Sequence, residues 1–287
     1  MAYAHRDDHT RHFSSGLKAK VGTSILSLER RGRVGLPVRP GFAGSEPCGR
    51  LAGSVRRLDA LVPLSDAGIA SLVKAIGERV QRAGPGEDLI SEGDRPDRVR
   101  IILSGWLTRH KTLADGRRQI VGLLLPGDTC DVQVQLLHQM DHSIGTLTPV
   151  VYAEIEPARF AELLAADRSL AQAFQVETLV NAAIQREWVI NIGRRTALER
   201  VAHLLCEIFE RLRSVGLVDG NGCAFPITQM DLADATGLSV VHVNRTVQEL
   251  RANNLILLRE RTLTINHLSA LKELALFSSN YLHLRGG

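Results

Sequence analysis

The side chains here whose types and spacing best suit chemistry are suited to reading nucleic acid, not to breaking bonds. Residues 228–251 run T-Q-M-D-L-A-D-A-T-G-L-S-V-V-H-V-N-R-T-V-Q-E-L-R. Thr228, with Asp231 three residues on, is spaced to cap a first helix reaching about Ala235. Thr236, Gly237 and Leu238 supply a turn, and Ser239 caps a second helix. A helix-turn-helix needs a small residue where its helices touch, a glycine in the turn and an apolar anchor. Ala233, Gly237 and Val243 fall at those places, with Leu232 and Leu238 as core. On the second helix Val243, Val247 and Leu250 face inward. Val240, Val241, His242, Asn244, Arg245 and Gln248 are left outward, several near the end that a recognition helix presents to the major groove. Arg245 can pair bidentately with guanine, worth about 1–3 kcal/mol of discrimination. His242 and Asn244 can reach base or phosphate. Beyond them, residues 255–258 and 263–265 flank Arg259, Glu260, Arg261 and Thr262. This reads as a small β-wing with its tip at the DNA backbone.

Other chemistry is poorly supported. There is no Walker-type loop, no G-x-S-x-G and no H-E-x-x-H, so no enzyme is expected. The four cysteines, Cys48, Cys130, Cys206 and Cys223, are scattered, with no C-x-x-C pair and no histidine at zinc-ligand spacing. Neither a disulfide framework nor a metal is expected, and no cofactor is assigned. His138 and His142, in L-H-Q-M-D-H-S, can ligate haem or a metal, although a solvated histidine in a polar loop is the more ordinary reading. Cys130 is a candidate redox thiol.

The elements that position these residues can be traced along the chain. The sequence has 287 residues, 44% of them apolar, and a formal net charge of +4. Residues 1–50 hold nine Lys/Arg against four acids, so the excess basicity belongs to this arm. Residues 1–53 read as a mobile basic tail. No apolar run of signal-peptide or membrane-spanning length occurs, so a cytoplasmic protein with no membrane partner is expected. A helix is predicted over 54–80, with Leu64, Ile69, Leu72, Val73 and Ile76 on one face and Ser65 and Asp66 at a cap. Turn residues then recur about every ten positions, at 84–86, 92–94, 104–105, 115–116 and 126–128. They bound short strands at 99–103, 106–110, 119–125 and 146–154, a pattern that predicts an antiparallel roll. Residues 158–213 are predicted helical, with a weak point at 191–193. Ala173, Val176, Val180, Ala183, Glu187 and Ile190 recur at 3-4 spacing, as in a dimer seam or a helix packed on its own domain. A second helix carries Ala197, Val201, Leu204, Leu205, Ile208 and Leu212 on one face and Arg194, Arg195, Glu199 and Arg200 on its polar side.

In this order the chain resembles the Crp/Fnr family over about residues 56–282. The similar stretches are S-G-W-L-T-R-H-K-T-L-A-D-G-R-R-Q at 104–119, L-P-G-D at 125–128, R-R-T-A-L-E-R-V-A-H-L-L at 194–205 and P-I-T-Q-M-D-L-A-D-A-T-G-L-S at 226–239. The resemblance implies an α+β chain: an antiparallel, cyclic-nucleotide-binding-like β-roll sensor over 54–165, a dimerisation helix over 166–192, and a winged helix-turn-helix over 193–287. It implies a transcription regulator that binds double-stranded DNA as a homodimer. The helix at 239–252 would read a pseudo-palindromic site with half-sites about one helical turn apart, and RNA polymerase would be a partner. Thr228 and Gln229 resemble the family's backbone-contacting residues and Arg245 its base-reading arginine; Ser239 starts the same helix.

The chain also departs from the family pattern. Many members carry Glu four residues before the arginine, where this sequence has Val241, so the usual half-site cannot be assumed. The Gly-Glu and Arg-Ser pairs that hold a cyclic-nucleotide phosphate fall near Asp131-Val132 and His142-Ser143. An acid there repels a phosphate, and no arginine pairs with it. Iron–sulfur members use a cysteine cluster near the N-terminus, a region in which only Cys48 lies. The effector residues therefore stay unassigned. The alternative reading is a cyclic-nucleotide- or haem-binding sensor module whose ligand gates DNA binding.

Overall fold

The computed structural model describes residues 47–130, 132, 136 and 138–284. The basic tail expected over 1–53 lies outside them as far as residue 46. From there the expectation is corrected: a helix, α1 (Pro47–Asp59), occupies the end of the supposed tail. Proline suits a first helical turn, and Leu51, Ser54 and Leu58 recur at helical spacing and are buried. The helical stretch expected over 54–80 is two helices, the second starting at the cap expected at Ser65. The Leu64 amide donates to Asp59 Oδ1 at 2.9 Å across the break. Then α2 (Asp66–Glu78) starts with Ser65 accepting from the Gly68 amide. Leu72 and Ile76 bury its inner face.

Seven strands form the roll: β1 (Val80–Ala83), β2 (Asp88–Ile90), β3 (Val99–Ser104), β4 (Leu107–Thr112), β5 (Arg118–Leu124), β6 (Ser143–Thr146) and β7 (Val150–Ile155). They make two antiparallel sheets, ordered β1-β7-β3 and β2-β6-β4-β5. Over 146–154, where further strands were expected, lie the last residue of β6 and most of β7, in different sheets and parted by a turn through Pro149. Gly105 (φ +89°) makes the close approach there, since a Cβ would lie 2.5 Å from the Pro149 carbonyl oxygen. Ile90, Ile102, Leu107, Leu124, Cys130, Met140, Ile144 and Val150 form one hydrophobic core between the sheets.

Two helices lead out of the roll, α3 (Pro157–Ala166) and the 27-residue α4 (Arg168–Arg194). The latter runs unbroken through Asn191, Ile192 and Gly193, where a weak point was expected. Asn191 Nδ2 donates to the Arg200 carbonyl at 3.2 Å, which ties that end to the next helix. That helix is α5 (Ala197–Ser214), held at its start by a Thr196–Glu199 capping box. Every residue from Val201 to Leu212 is buried, including His203, Glu207, Glu210 and Arg211. The polar side expected at Arg194, Arg195, Glu199 and Arg200 stays half-buried to exposed around the start of the helix, while from Val201 on even the charged residues are interior.

A buried charge network crosses this interior. Arg211 pairs with Asp128 (2.6 Å) and Glu207 (3.2 Å) and donates to the Leu123 carbonyl at 2.8 Å. Arg57 Nε of α1 lies 3.4 Å from Asp128. Trp188 Nε1 and the Tyr281 hydroxyl donate to Glu207 at 3.2 and 3.0 Å. Burial pushes the Asp128 carboxyl up, but the two guanidiniums and the Leu125 amide outweigh it and hold the group below its ordinary value. The network joins α1, the roll, α4, α5 and the C-terminal turn.

The remaining elements are β8 (Val218–Asp219), β9 (Gly222–Ala224), α6 (Gln229–Thr236), α7 (Val240–Ala252), β10 (Ile256–Arg259), β11 (Thr262–Ile265), α8 (Leu268–Leu274) and a 3-10 turn at Ser279–Leu282. The wing is a four-stranded sheet, ordered β10-β11-β9-β8. Two of its strands, β8 and β9, are too short to leave a periodic signal. Among the described residues, no helix is long and apolar enough to cross a membrane, and no group of three or more His, Cys, Asp or Glu is placed to hold a metal.

Candidate nucleic-acid interface

The two helices of the candidate interface are set by local bonds. Thr228 Oγ1 accepts from the Asp231 amide, and Asp231 Oδ2 accepts from the Thr228 amide, both at 3.1 Å. Gly237 closes α6 in the left-handed region at φ +65°, its N–H donating to the Ala233 carbonyl. Ser239 Oγ accepts from the His242 amide at 3.2 Å and opens α7. Leu232, Ala233, Val243, Val247 and Leu250 are buried between the helices and α5.

The opposite face of α7 is free for a ligand. Val241, Asn244, Arg245 and Gln248 are exposed, Val240 and His242 half-buried. Thr228, Gln229 and Ser239, at the helix starts, are exposed as well. Asn244 Nδ2 donates to Gln229 Oε1 at 3.2 Å and so links the two helices. Among the described residues, no hydrogen bond or ion pair holds the Arg245 guanidinium. Beside α7, Gln248, Arg251, Asn254 and Asn266 line an open groove against the wing. Arg251, Asn254 and Asn266 were missed from sequence, because the groove forms only when β10 is laid beside the helix. At the wing tip Glu260 and Arg261 take positive φ (51° and 58°), as a two-residue hairpin turn requires. Arg259 and Arg261 are exposed there.

The reading head is fastened to the roll. Arg118 of β5 reaches Asp231 at 2.7 Å and Asp234 at 2.8 Å, and Gln119 Nε2 donates to the Asp234 carbonyl at 2.6 Å. Asp231 therefore serves at once as the cap of α6 and as the anchor for a sensor arginine. Trp106 meets Phe225 edge-on at 6.2 Å, and Gln185 of α4 donates to the Val121 carbonyl at 2.7 Å.

Of the two readings of the 3-4 run on the long helix, packing on its own domain holds for part of the run. Ala173, Val180 and Ala183 are buried within the protomer, Val176 is half-buried and Ile190 exposed. Glu187 pairs with Arg195 at 2.6 Å and lies 3.3 Å from His203. The heptad run left facing solvent is displaced by one residue: Gln172, Gln175, Leu179, Ala182, Arg186 and Val189 are all exposed. Leu179 and Val189 are 67% and 71% exposed.

The sensor candidates are scattered. Cys130 packs in the roll core, His138 is exposed, and His142 Nδ1 pairs with Asp141 at 2.8 Å. Burial pushes the Cys206 and Cys223 thiols up to about 12, which removes them as nucleophiles.

Comparison with known proteins matches residues 80–167 to a cyclic nucleotide-binding domain and residues 199–274 to a Crp-like helix-turn-helix domain. The transcriptional activator protein FnrL of Cereibacter sphaeroides is 31% identical, over 60% of this chain and 70% of its own. The nitrogen fixation regulation protein FixK of Bradyrhizobium diazoefficiens is 31% identical, over 76% of this chain and 91% of its own. The chain belongs to the Crp/Fnr family. The structure of FixK2 from Bradyrhizobium japonicum has the same fold, with a TM-score of 0.62 at 22% identity, covering 69% of this chain and 98% of that one.

As a Crp/Fnr member the chain carries a roll that matches a cyclic nucleotide-binding domain. Near the place expected for the family's Arg-Ser pair, His142 is engaged by Asp141, and Ser143 Oγ accepts from the Glu92 amide at 2.9 Å. The nearby cations are also engaged. Arg109 donates to the Thr129 and Cys130 carbonyls, and Lys111 to Glu92 and the Asp141 carbonyl. The described residues thus do not fit a cyclic phosphate at that place.

Proposed function

We propose that this chain is a cytoplasmic, homodimeric transcription regulator that reads a pseudo-palindromic site in double-stranded DNA through α7 and works with RNA polymerase. The observation that carries this reading is the exposed face of α7, on which no hydrogen bond or ion pair among the described residues holds the Arg245 guanidinium. Arg245 and Val241 project from it beside Gln248 and the capped starts Thr228, Gln229 and Ser239. Val240, His242 and Asn244 complete the surface. Two copies would meet along the exposed seam of α4, with Val176 and Ile190 at its margins.

The experiment is selection of bound fragments from a random DNA pool by the purified full chain, with no ligand added and at stated salt. A two-fold symmetric motif with half-sites about one helical turn apart is expected. Arg245→Ala should relax the motif at a guanine, costing about 1–3 kcal/mol there. Thr228→Ala should weaken all sequences alike, as loss of a phosphate contact does. An unchanged motif with Arg245→Ala would reject this placement of the helix.

The dimer seam has its own test. Leu179 is exposed in the protomer, so Leu179→Asp should leave the fold intact. It is expected to shift the mass in light scattering from dimer to monomer at micromolar concentration and to abolish binding to the full symmetric site. A Leu179→Asp protein that stays dimeric would move the interface elsewhere.

A further inference from the structure

The geometry points to Val241 as a thymine reader: its methyl groups would meet the 5-methyl of that base in the major groove, close to the base pair contacted by Arg245. This rests on the placement of α7 proposed above. Val241 is 81% exposed, an apolar side chain on a helix face otherwise lined by Asn244, Arg245 and Gln248. It stands in the first turn after the Ser239 cap, the end that enters the groove. A β-branched side chain in a helix keeps essentially one rotamer, so its methyl groups are presented with little further loss of freedom.

The partner follows from the chemistry of base edges. Val241 has no donor or acceptor, and only thymine offers an apolar group on the major-groove edge. Against adenine or cytosine it would cover an amine without pairing it. Val241 and Arg245 are four residues apart on one helical face, a rise of about 6 Å. Base pairs are about 3.4 Å apart. The thymine should therefore lie within about two base pairs of the guanine. Asn244, held by Gln229, is less free to follow a base than Val241 or Arg245.

The test uses the full chain and the site obtained by selection. Each thymine of a half-site is replaced in turn by deoxyuridine, which removes only the methyl group. At one position within about two base pairs of the Arg245-dependent guanine, Kd should rise about four-fold, the equivalent of about 0.8 kcal/mol for one methyl-sized group. Repeating the selection with Val241→Glu should move that position away from thymine toward cytosine or adenine, whose amines a carboxylate accepts. The rest of the motif should stay. The inference is overturned if Arg245→Ala relaxes a guanine while no nearby thymine responds to loss of its methyl group. It is equally overturned if Val241→Glu selects the wild-type motif. Failure to select any symmetric motif would instead reject the proposed function, and this inference with it.

Discussion

Arg211→Met is expected to lower folding stability by about 3–5 kcal/mol, the cost of leaving a buried ion-pair network with one partner removed. Arg211 is buried between Asp128 and Glu207, which are themselves buried, and it also satisfies the Leu123 carbonyl. Its loss leaves two carboxylates facing one another's field with only Arg57 near Asp128. Arg211→Lys keeps the charge but not the fork, so it should fall between wild type and Arg211→Met. Pairing Arg211→Met with Glu207→Gln should recover part of the loss, since glutamine still accepts from Trp188 and Tyr281 without carrying charge. Urea unfolding followed through the fluorescence of Trp106 and Trp188 measures all three. A loss below about 1 kcal/mol for Arg211→Met would show that water or movement of the helices compensates the carboxylates.

Glu177→Gln should act in the opposite direction and depend on pH. Glu177 of α4 is fully buried, and its Oε1 accepts from the Thr129 amide at 3.1 Å. Burial, offset by Arg57 and reinforced by Asp128, raises its carboxyl from 4.5 to about 7. Arg57 also lies against Asp128, so the one cation that acts on Glu177 is shared and burial prevails. Between pH 4.5 and 7 the folded protein holds a proton at Glu177 that the unfolded chain has released. Stability therefore falls through this window as pH rises, and the full cost is present above it. Glutamine avoids the cost: Glu177→Gln should gain on the order of 2–3 kcal/mol at pH 8, little at pH 4.5, and should flatten the slope between them. Urea midpoints at half-unit pH steps decide it. Parallel wild-type and variant profiles would mean that Glu177 is ionised in the fold at no cost.

The reading head was legible because its signals are local. Thr228 with Asp231, Gly237 and Ser239 each act within four residues, so spacing alone located both caps and the turn. The roll was legible as a class for a similar reason, its turns recurring where glycines and acidic residues break the chain. Its sheet order was not. That β6 and β7 fall in separate sheets was not written locally, because they pair with β2 and β1, far back along the chain.

The dimer helix shows most clearly what the sequence by itself determined and what it left open. Composition and periodicity established a long helix with apolar residues at 3-4 spacing. A second run at the same spacing lies one residue away, but Gln172, Gln175 and Arg186 make half of it polar, so apolar periodicity alone singled out the run that the protomer buries. Ala173, Val180 and Ala183 lost their place at the surface because the protomer's own packing buries them, which exposes Leu179, Ala182 and Val189 instead. The same holds for the charges. Arg57, Asp128, Glu177, Glu207 and Arg211 read as ordinary polar positions until α1, the roll, α4 and α5 close around them. Caps and turns are written in neighbouring residues. Which face of a helix is covered, and which charges leave water, is settled only by elements distant in the chain, because burial is a property of the assembled interior.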